Sequence, residues 1–77
     1  MSTHCAHTSF NLALYYLAAN DFVQSNELYH SIMNDEVKNK HIRDAIKDLS
    51  EYLELFPNHE LAQEMHDFLN NALQDKS

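Results

Sequence analysis

The stretch "AANDFVQSNELYHSIM", residues 18–33, contains a turn followed by an amphipathic helix. The chain has no Gly, and Asn is the residue that most readily replaces Gly in a left-handed conformation, so we expect the turn at Asn20. Asp21 then caps the following helix, and Gln24 stands three residues later, as in a capping box. The stretch therefore predicts a helical hairpin whose second helix covers about residues 22–33.

Apolar residues at helical spacing extend this prediction in both directions. The first helix is expected to follow Thr8 or Ser9 as its N-cap and to reach about Ala19. A polar stretch precedes a third helix that Pro57 ends, and Asn58 is placed to cap a fourth. No stretch alternates in the strand period. The sequence predicts an all-α fold of about four antiparallel helices.

The first helix has apolar residues on most of its surface. One set recurs at Phe10, Ala13, Leu14 and Leu17, and a second set consists of Leu12, Tyr15 and Tyr16. A helix that is apolar on most sides is usually buried on most sides. We therefore expect other elements to cover this helix.

Length and composition suit one small domain, residues 1–77, in which 44% of residues are apolar. The single Cys5 cannot form an internal disulfide, so a cytoplasmic location is expected. No apolar run approaches the roughly 20 residues that span a bilayer, and the N-terminus has no signal-peptide pattern. We predict a soluble protein that does not bind membranes.

Through Leu12, Ala13, Tyr16, Ser25 and Tyr29, the first hairpin resembles a tetratricopeptide repeat (TPR). Leu12, Ala13 and Tyr16 stand at the Leu, Gly and Tyr places of the family's first helix. Ser25 and Tyr29 stand at the small and aromatic places of its second helix. The small residues at 13 and 25 would let two antiparallel helices approach closely, with the tyrosines beside them.

The resemblance continues, in part, towards the C-terminus. Ala45, Leu49 and Pro57 match the second half of another repeat, and the fourth helix resembles the capping helix that closes such arrays. Ser9 and Val37 depart from the family's Trp and Pro. One full repeat, half of another and a cap are fewer than the three repeats usually needed for stability. A generic four-helix bundle is the alternative fold.

The resemblance implies a non-catalytic protein–protein interaction module, such as a small adaptor or co-chaperone. In the family, the first helix of each hairpin lines the concave surface. The corresponding positions are His7, Phe10, Leu14 and Leu17, which form the predicted partner face. A partner helix would be read there by anchors at i, i+4 and i+7. The occupant is a protein segment or a second copy of the chain, unless these residues are ordinary core.

The charge of −7 disfavours binding to nucleic acid or to anionic membranes, which requires excess Lys and Arg. Residues 1–37 contain no Lys or Arg. Lys40, Arg43 and Lys47 share one helical face, which is either a docking patch for an acidic segment or a solvated surface. The acidic balance gives an alternative function, a small inhibitor that blocks a basic, nucleic-acid-binding cleft.

Catalytic and metal-binding interpretations are weaker. His4, Cys5 and His7 are metal-ligand types, but no second Cys supplies the separated pair that structural zinc sites use. Carboxylates recur on one side of the fourth helix in residues 60–67, where a solvated face is the simpler interpretation. We predict no metal, no cofactor and no enzymatic activity.

Overall fold

A computed structural model describes residues 6–76 of the chain, with side chains from Thr8 to Asp75. These residues form four α-helices and no strand: α1 (Ala6–Ala18), α2 (Phe22–Asn34), α3 (Asn39–Leu55) and α4 (Glu60–Lys76). The predicted all-α fold with four helices is confirmed. The chain divides into two compact units, of which the first ends at Val37 and the second begins at Lys38. Each unit contains one helical hairpin, and the single domain expected from the sequence stays a prediction.

Helix α1 begins earlier than the sequence suggested. It includes Thr8 and Ser9 in its first turns, so the prediction that one of them is the N-cap was wrong. Thr and Ser cost only a fraction of a kcal/mol relative to Ala inside a helix. Because no Gly or Pro stands between Ala6 and Phe10, nothing in the backbone prevents the helix from starting upstream of both hydroxyl side chains.

The turn between α1 and α2 forms where Asn20 predicted it. Asn20 has a φ of 67°, and its N–H donates to the Leu17 carbonyl at 3.1 Å, while the Asp21 N–H donates to the Tyr16 carbonyl at 2.9 Å. These two bonds are those of a Schellman motif with Asn in the left-handed position. Asp21 also caps α2, with its carboxylate accepting from the Gln24 N–H at 3.5 Å. Since the Asp21 N–H already bonds to Tyr16, only this half of the predicted capping box forms.

Close contact between two small residues joins α1 to α2. Ala13 and Ser25 are both fully buried, and the Ser25 hydroxyl donates to the Ala13 carbonyl oxygen at 2.8 Å. A side chain two bonds long can reach the opposite backbone only when the helices lie near the close end of the usual packing range. Beside this contact, the rings of Phe10 and Tyr29 lie 6.1 Å apart. The predicted close approach at residues 13 and 25 is confirmed.

The second unit packs α3 against α4 in the same manner. Both helices bury residues at positions i, i+3 and i+7, which share one helical face. The buried residues are Ile42, Ala45 and Leu49 from α3, and Ala62, Met65 and Leu69 from α4. The sequence predicted α3 as the second half of an incomplete hairpin, but in the structure α3 is the first helix of a complete one.

The turn between α3 and α4 differs from the prediction by one residue. Pro57 follows the end of α3, as expected, and the Phe56 N–H closes that helix by donating to Tyr52 at 2.9 Å. The cap of α4 is His59, whose ring Nδ1 accepts from the Ala62 N–H at 3.2 Å, and the predicted cap at Asn58 was wrong. An Nδ1 acceptor requires the neutral imidazole with its proton on Nε2.

Candidate binding groove

The predicted partner face lies mostly in the interior of the chain. Phe10 and Leu17 are buried, with 4% and 0% of their surface exposed, and Leu14 is half-buried. His7 belongs to the first turn of α1, and its side chain lies outside the described part. Partner binding through this face stays a prediction. Of the three described side chains, only Leu14 could contact a partner without opening the core.

A shallow groove follows one side of the first hairpin instead. It has a volume of about 290 Å³ and is lined by Leu12 and Tyr16 of α1 and by Gln24, Glu27, Leu28 and Ser31 of α2. Leu12 is 44% exposed, while Tyr16 and Leu28 are half-buried. Three large apolar side chains therefore form a floor that solvent reaches.

The helical repeat explains why these residues meet. The buried residues of α1 and α2 face the hairpin core. Tyr16, Gln24, Leu28 and Ser31 flank these buried stripes, whereas Leu12 and Glu27 lie farther round each helix. Leu12 and Tyr16 are four residues apart on α1, as are Gln24 and Leu28 on α2, so each pair shares one helical face. The groove forms where these two flanking faces meet.

A second cavity of about 280 Å³ continues the groove along α2. It shares Leu28 and Ser31 with the first cavity and also contacts Ser9 and the end of α2. Its remaining lining residues are Ile32, Asp35, Glu36 and Val37. From Gln24 to Asp35 the combined groove extends roughly 16 Å at 1.5 Å per residue, or about three helical turns. We call these two cavities together the hairpin groove.

The border of the hairpin groove is acidic. Glu27, Asp35 and Glu36 are exposed lining residues, and residues 1–37 contain no Lys or Arg to neutralise them. Asp35 and Glu36 also follow the C-terminus of α2, where the helix dipole is already negative and where no basic residue occupies the last turn. Two of the three carboxylates therefore lie at the end of the groove where α2 ends.

The second unit presents the predicted basic patch. Lys40, Arg43 and Lys47 are all exposed on α3. Within residues 8–75, none of them lies within ion-pair distance of Asp44 or Asp48, the carboxylates nearest to them in the sequence of α3. The patch is therefore solvated, and its role as a docking site stays a prediction.

The start of α4 carries a third cavity, of about 400 Å³. It is lined by Pro57, Asn58, His59, Glu60, Gln63, Glu64 and Asp67. The Asp67 carboxylate accepts from the Gln63 amide at 3.1 Å and lies 3.4 Å from the His66 ring. The three carboxylates are exposed, as expected for the solvated face of an amphipathic helix.

The described residues contain no group of three or more His, Cys, Asp or Glu side chains that could hold a metal ion. His4 and Cys5, which were considered above as metal-ligand types, lie outside the described residues, as does the side chain of His7. Across residues 6–76, no helix has the length and apolar content that crossing a membrane requires.

Comparisons with protein-family models, curated proteins and solved structures gave no match. The interpretation of the groove therefore depends on its own geometry and charge. Two of its three floor residues, Leu12 and Tyr16, belong to the second apolar set that the sequence showed on the first helix. The expectation that other elements cover that set was wrong for Leu12 and Tyr15, which are 44% and 66% exposed. The signal for the groove was this surplus of apolar residues on α1.

Proposed function

We propose that the chain is a non-catalytic interaction module that binds a segment of a partner protein in the hairpin groove. The observation that carries this proposal is the solvent-exposed apolar floor of Leu12, Tyr16 and Leu28. Burying apolar surface stabilises a complex by about 25 cal/mol per Å² before the costs of association. A groove of this kind is suited to an amphipathic helix that inserts side chains at helical spacing.

The resemblance to the TPR family supports the same class of function. Ala13 contacts Ser25, and the Tyr29 ring packs beside that of Phe10, so small and aromatic residues at the places of the family pattern lie in the core of the first hairpin. Small single-hairpin proteins of the TPR family resemble adaptors and co-chaperones, so we propose that functional type for the chain. The groove residues Leu12 and Tyr16 belong to the motif positions on which the resemblance depends.

A peptide-selection experiment tests the proposal. The wild-type chain is used to select binders from a random peptide library, and the selected peptides are then measured against Leu12→Gln, which removes the apolar side chain without adding charge. Val23→Gln is the matched control, because Val23 is 67% exposed but does not line the groove. We expect Leu12→Gln to lower the affinity for the selected peptides and Val23→Gln to leave that affinity unchanged. Selected peptides that bind all three proteins equally would contradict the proposal.

The acidic inhibitor is a second candidate, favoured by the absence of Lys and Arg from residues 1–37. Such an inhibitor would present Glu27, Asp35 and Glu36 to a basic cleft and would not need the apolar floor. Its binding would disappear at about 1 M salt, where the Debye length is about 3 Å, and would be unaffected by Leu12→Gln. Binding through the apolar floor should instead persist at about 1 M salt and weaken in the Leu12→Gln variant.

A further inference from the structure

The charge of the hairpin groove indicates what its occupant is. We propose that the groove accepts a cationic amphipathic helix of a partner protein, a proposal that rests on the proposed function and adds the chemistry of the partner. The floor selects for apolar anchors and the border selects for Lys or Arg on the flanks of the helix. Each requirement follows from a separate feature of the groove.

A helix fits the groove better than an extended segment does. The walls are side chains of α1 and α2, whose backbone groups are already bonded within the helices. An extended segment would find no strand edge there to pair with, whereas a helix satisfies its own backbone N–H and C=O groups. The groove length of about three turns matches anchors at i, i+3 or i+4, and i+7.

Cations are favoured at the end of the groove beside Asp35 and Glu36. The C-terminus of a helix is normally stabilised by Lys or Arg, but α2 has no basic residue in its last turn and is followed by two carboxylates. The first cation along the chain is Lys38, which belongs to the second unit and stands before the first turn of α3. A Lys or Arg from a partner would therefore meet a helix terminus and two carboxylates at once.

Glu27 extends the same preference to the middle of the groove. It is exposed on α2 and lines the cavity that contains Leu12 and Leu28. A cationic residue one turn away from an apolar anchor would reach Glu27 while the anchor contacts the floor. An acidic helix would instead place like charges together at both positions, which disfavours it.

Two synthetic helices of about three to five turns test the proposal. They share one apolar face of Leu and Ala and differ only in their other face, which carries Lys in one peptide and Glu in the other. Binding to the full chain is measured by fluorescence anisotropy. The groove variant is E27Q/D35N/E36Q, and its control, E51Q/E54Q/D75N, makes the same charge change at exposed positions of α3 and α4 that do not line the groove.

We expect the Lys helix to bind and the Glu helix to bind at least about tenfold more weakly. The groove variant should lose about tenfold in affinity for the Lys helix, the combined size of three exposed ion pairs, while the control variant should lose less than about twofold. Leu12→Gln should also lower the affinity for the Lys helix, because the apolar floor and the acidic border both contribute to binding.

Several results would overturn the proposal. A Lys helix that binds no better than the Glu helix, or that does not bind at all, refutes the charge preference. The proposed function is then tested separately by whether the selected library peptides require Leu12. Equal losses in the groove and control variants would show only a general attraction to an acidic protein. Concentration-dependent dimerisation that Leu12→Gln abolishes, measured by sedimentation velocity, would assign the groove to a second copy of the chain.

Discussion

Substitutions of Ser25 separate two contributions of one buried side chain. Ser25 fills a space with no exposed surface, and its hydroxyl donates to the Ala13 carbonyl at 2.8 Å. Ser25→Ala removes the hydroxyl and keeps the close approach of the helices. Ser25→Leu forces a larger side chain into the same space. The two variants therefore report the hydrogen bond and the helix separation independently.

The expected magnitudes differ clearly. The Ala13 carbonyl also accepts the usual bond within α1, so Ser25→Ala leaves no unsatisfied acceptor and should cost about 0.5–1 kcal/mol. Ser25→Leu adds atoms to a filled site and should cost about 1–3 kcal/mol or more. A chain of 77 residues has roughly 4–12 kcal/mol of stability, so the larger loss is a substantial fraction of the total.

Urea unfolding measures both losses. The chain has four Tyr and no Trp, and Tyr15, Tyr16 and Tyr29 all lie in the first unit. Tyrosine fluorescence therefore follows mainly that unit, while circular dichroism at 222 nm follows all four helices. Each kcal/mol of lost stability should lower the melting temperature by about 4–8 °C in a domain of this size.

Two results would refute the reasoning about Ser25. Equal unfolding midpoints for Ser25→Leu and Ser25→Ala would mean that the helices do not approach closely at Ala13. A loss above about 2 kcal/mol for Ser25→Ala would mean that the hydroxyl contributes more than one neutral hydrogen bond usually does. Only the first result would remove the close helix approach on which the comparison of the first hairpin with the TPR pattern depends.

Three further substitutions test the turns and the second core by the same unfolding assay. Asn20→Gly should match or exceed the wild-type stability, and Asn20→Ala should cost about 1–2 kcal/mol because Ala has a Cβ but lacks the short polar side chain that lets Asn adopt the φ of 67°; equal stabilities would contradict the left-handed turn. His59→Ala should cost about 0.5–2 kcal/mol by removing the cap of α4, and His59→Asn should recover most of that loss because Asn also accepts the Ala62 N–H; no recovery would show that the ring contact with Tyr52 dominates. Met65→Ala should cost about 2–5 kcal/mol, since Met65 is 3% exposed in the second core, and a loss below about 1 kcal/mol would place it outside that core.

The sequence predicted the local structure of the chain better than its boundaries. The turn at Asn20 was predictable because few residues tolerate a left-handed conformation, and the contact of Ala13 with Ser25 was predictable because small residues at these spacings let helices approach. The starts of α1 and α4 were not predictable, since Thr8, Ser9 and Asn58 are all plausible caps. The choice between neighbouring polar residues depends on tertiary geometry, such as the His59 ring packing at 5.4 Å from Tyr52.

The partition of α1 between core and surface could not be predicted from hydrophobic spacing alone. Nearly every face of this helix is apolar, so hydrophobic spacing alone could not assign Phe10 and Leu17 to the interior and Leu12 to the surface. The assignment depends on which face α2 covers, which is fixed by where the small residues meet. The predicted partner face and the groove are therefore different sides of one helix.

This difference decides which substitutions can report on binding. A polar residue at Phe10 or Leu17 would remove a buried side chain, at about 2–5 kcal/mol, so any loss of binding there would reflect loss of the fold. Leu12 is 44% exposed, and surface substitutions usually change stability by less than about 0.5 kcal/mol. Leu12→Gln should therefore weaken binding while the unfolding midpoint stays close to that of the wild type. Ile32 and Val37 line the groove and are also buried in the core, but Leu12 is an exposed floor residue. The function proposed for the hairpin can therefore be weakened at Leu12 without unfolding the chain.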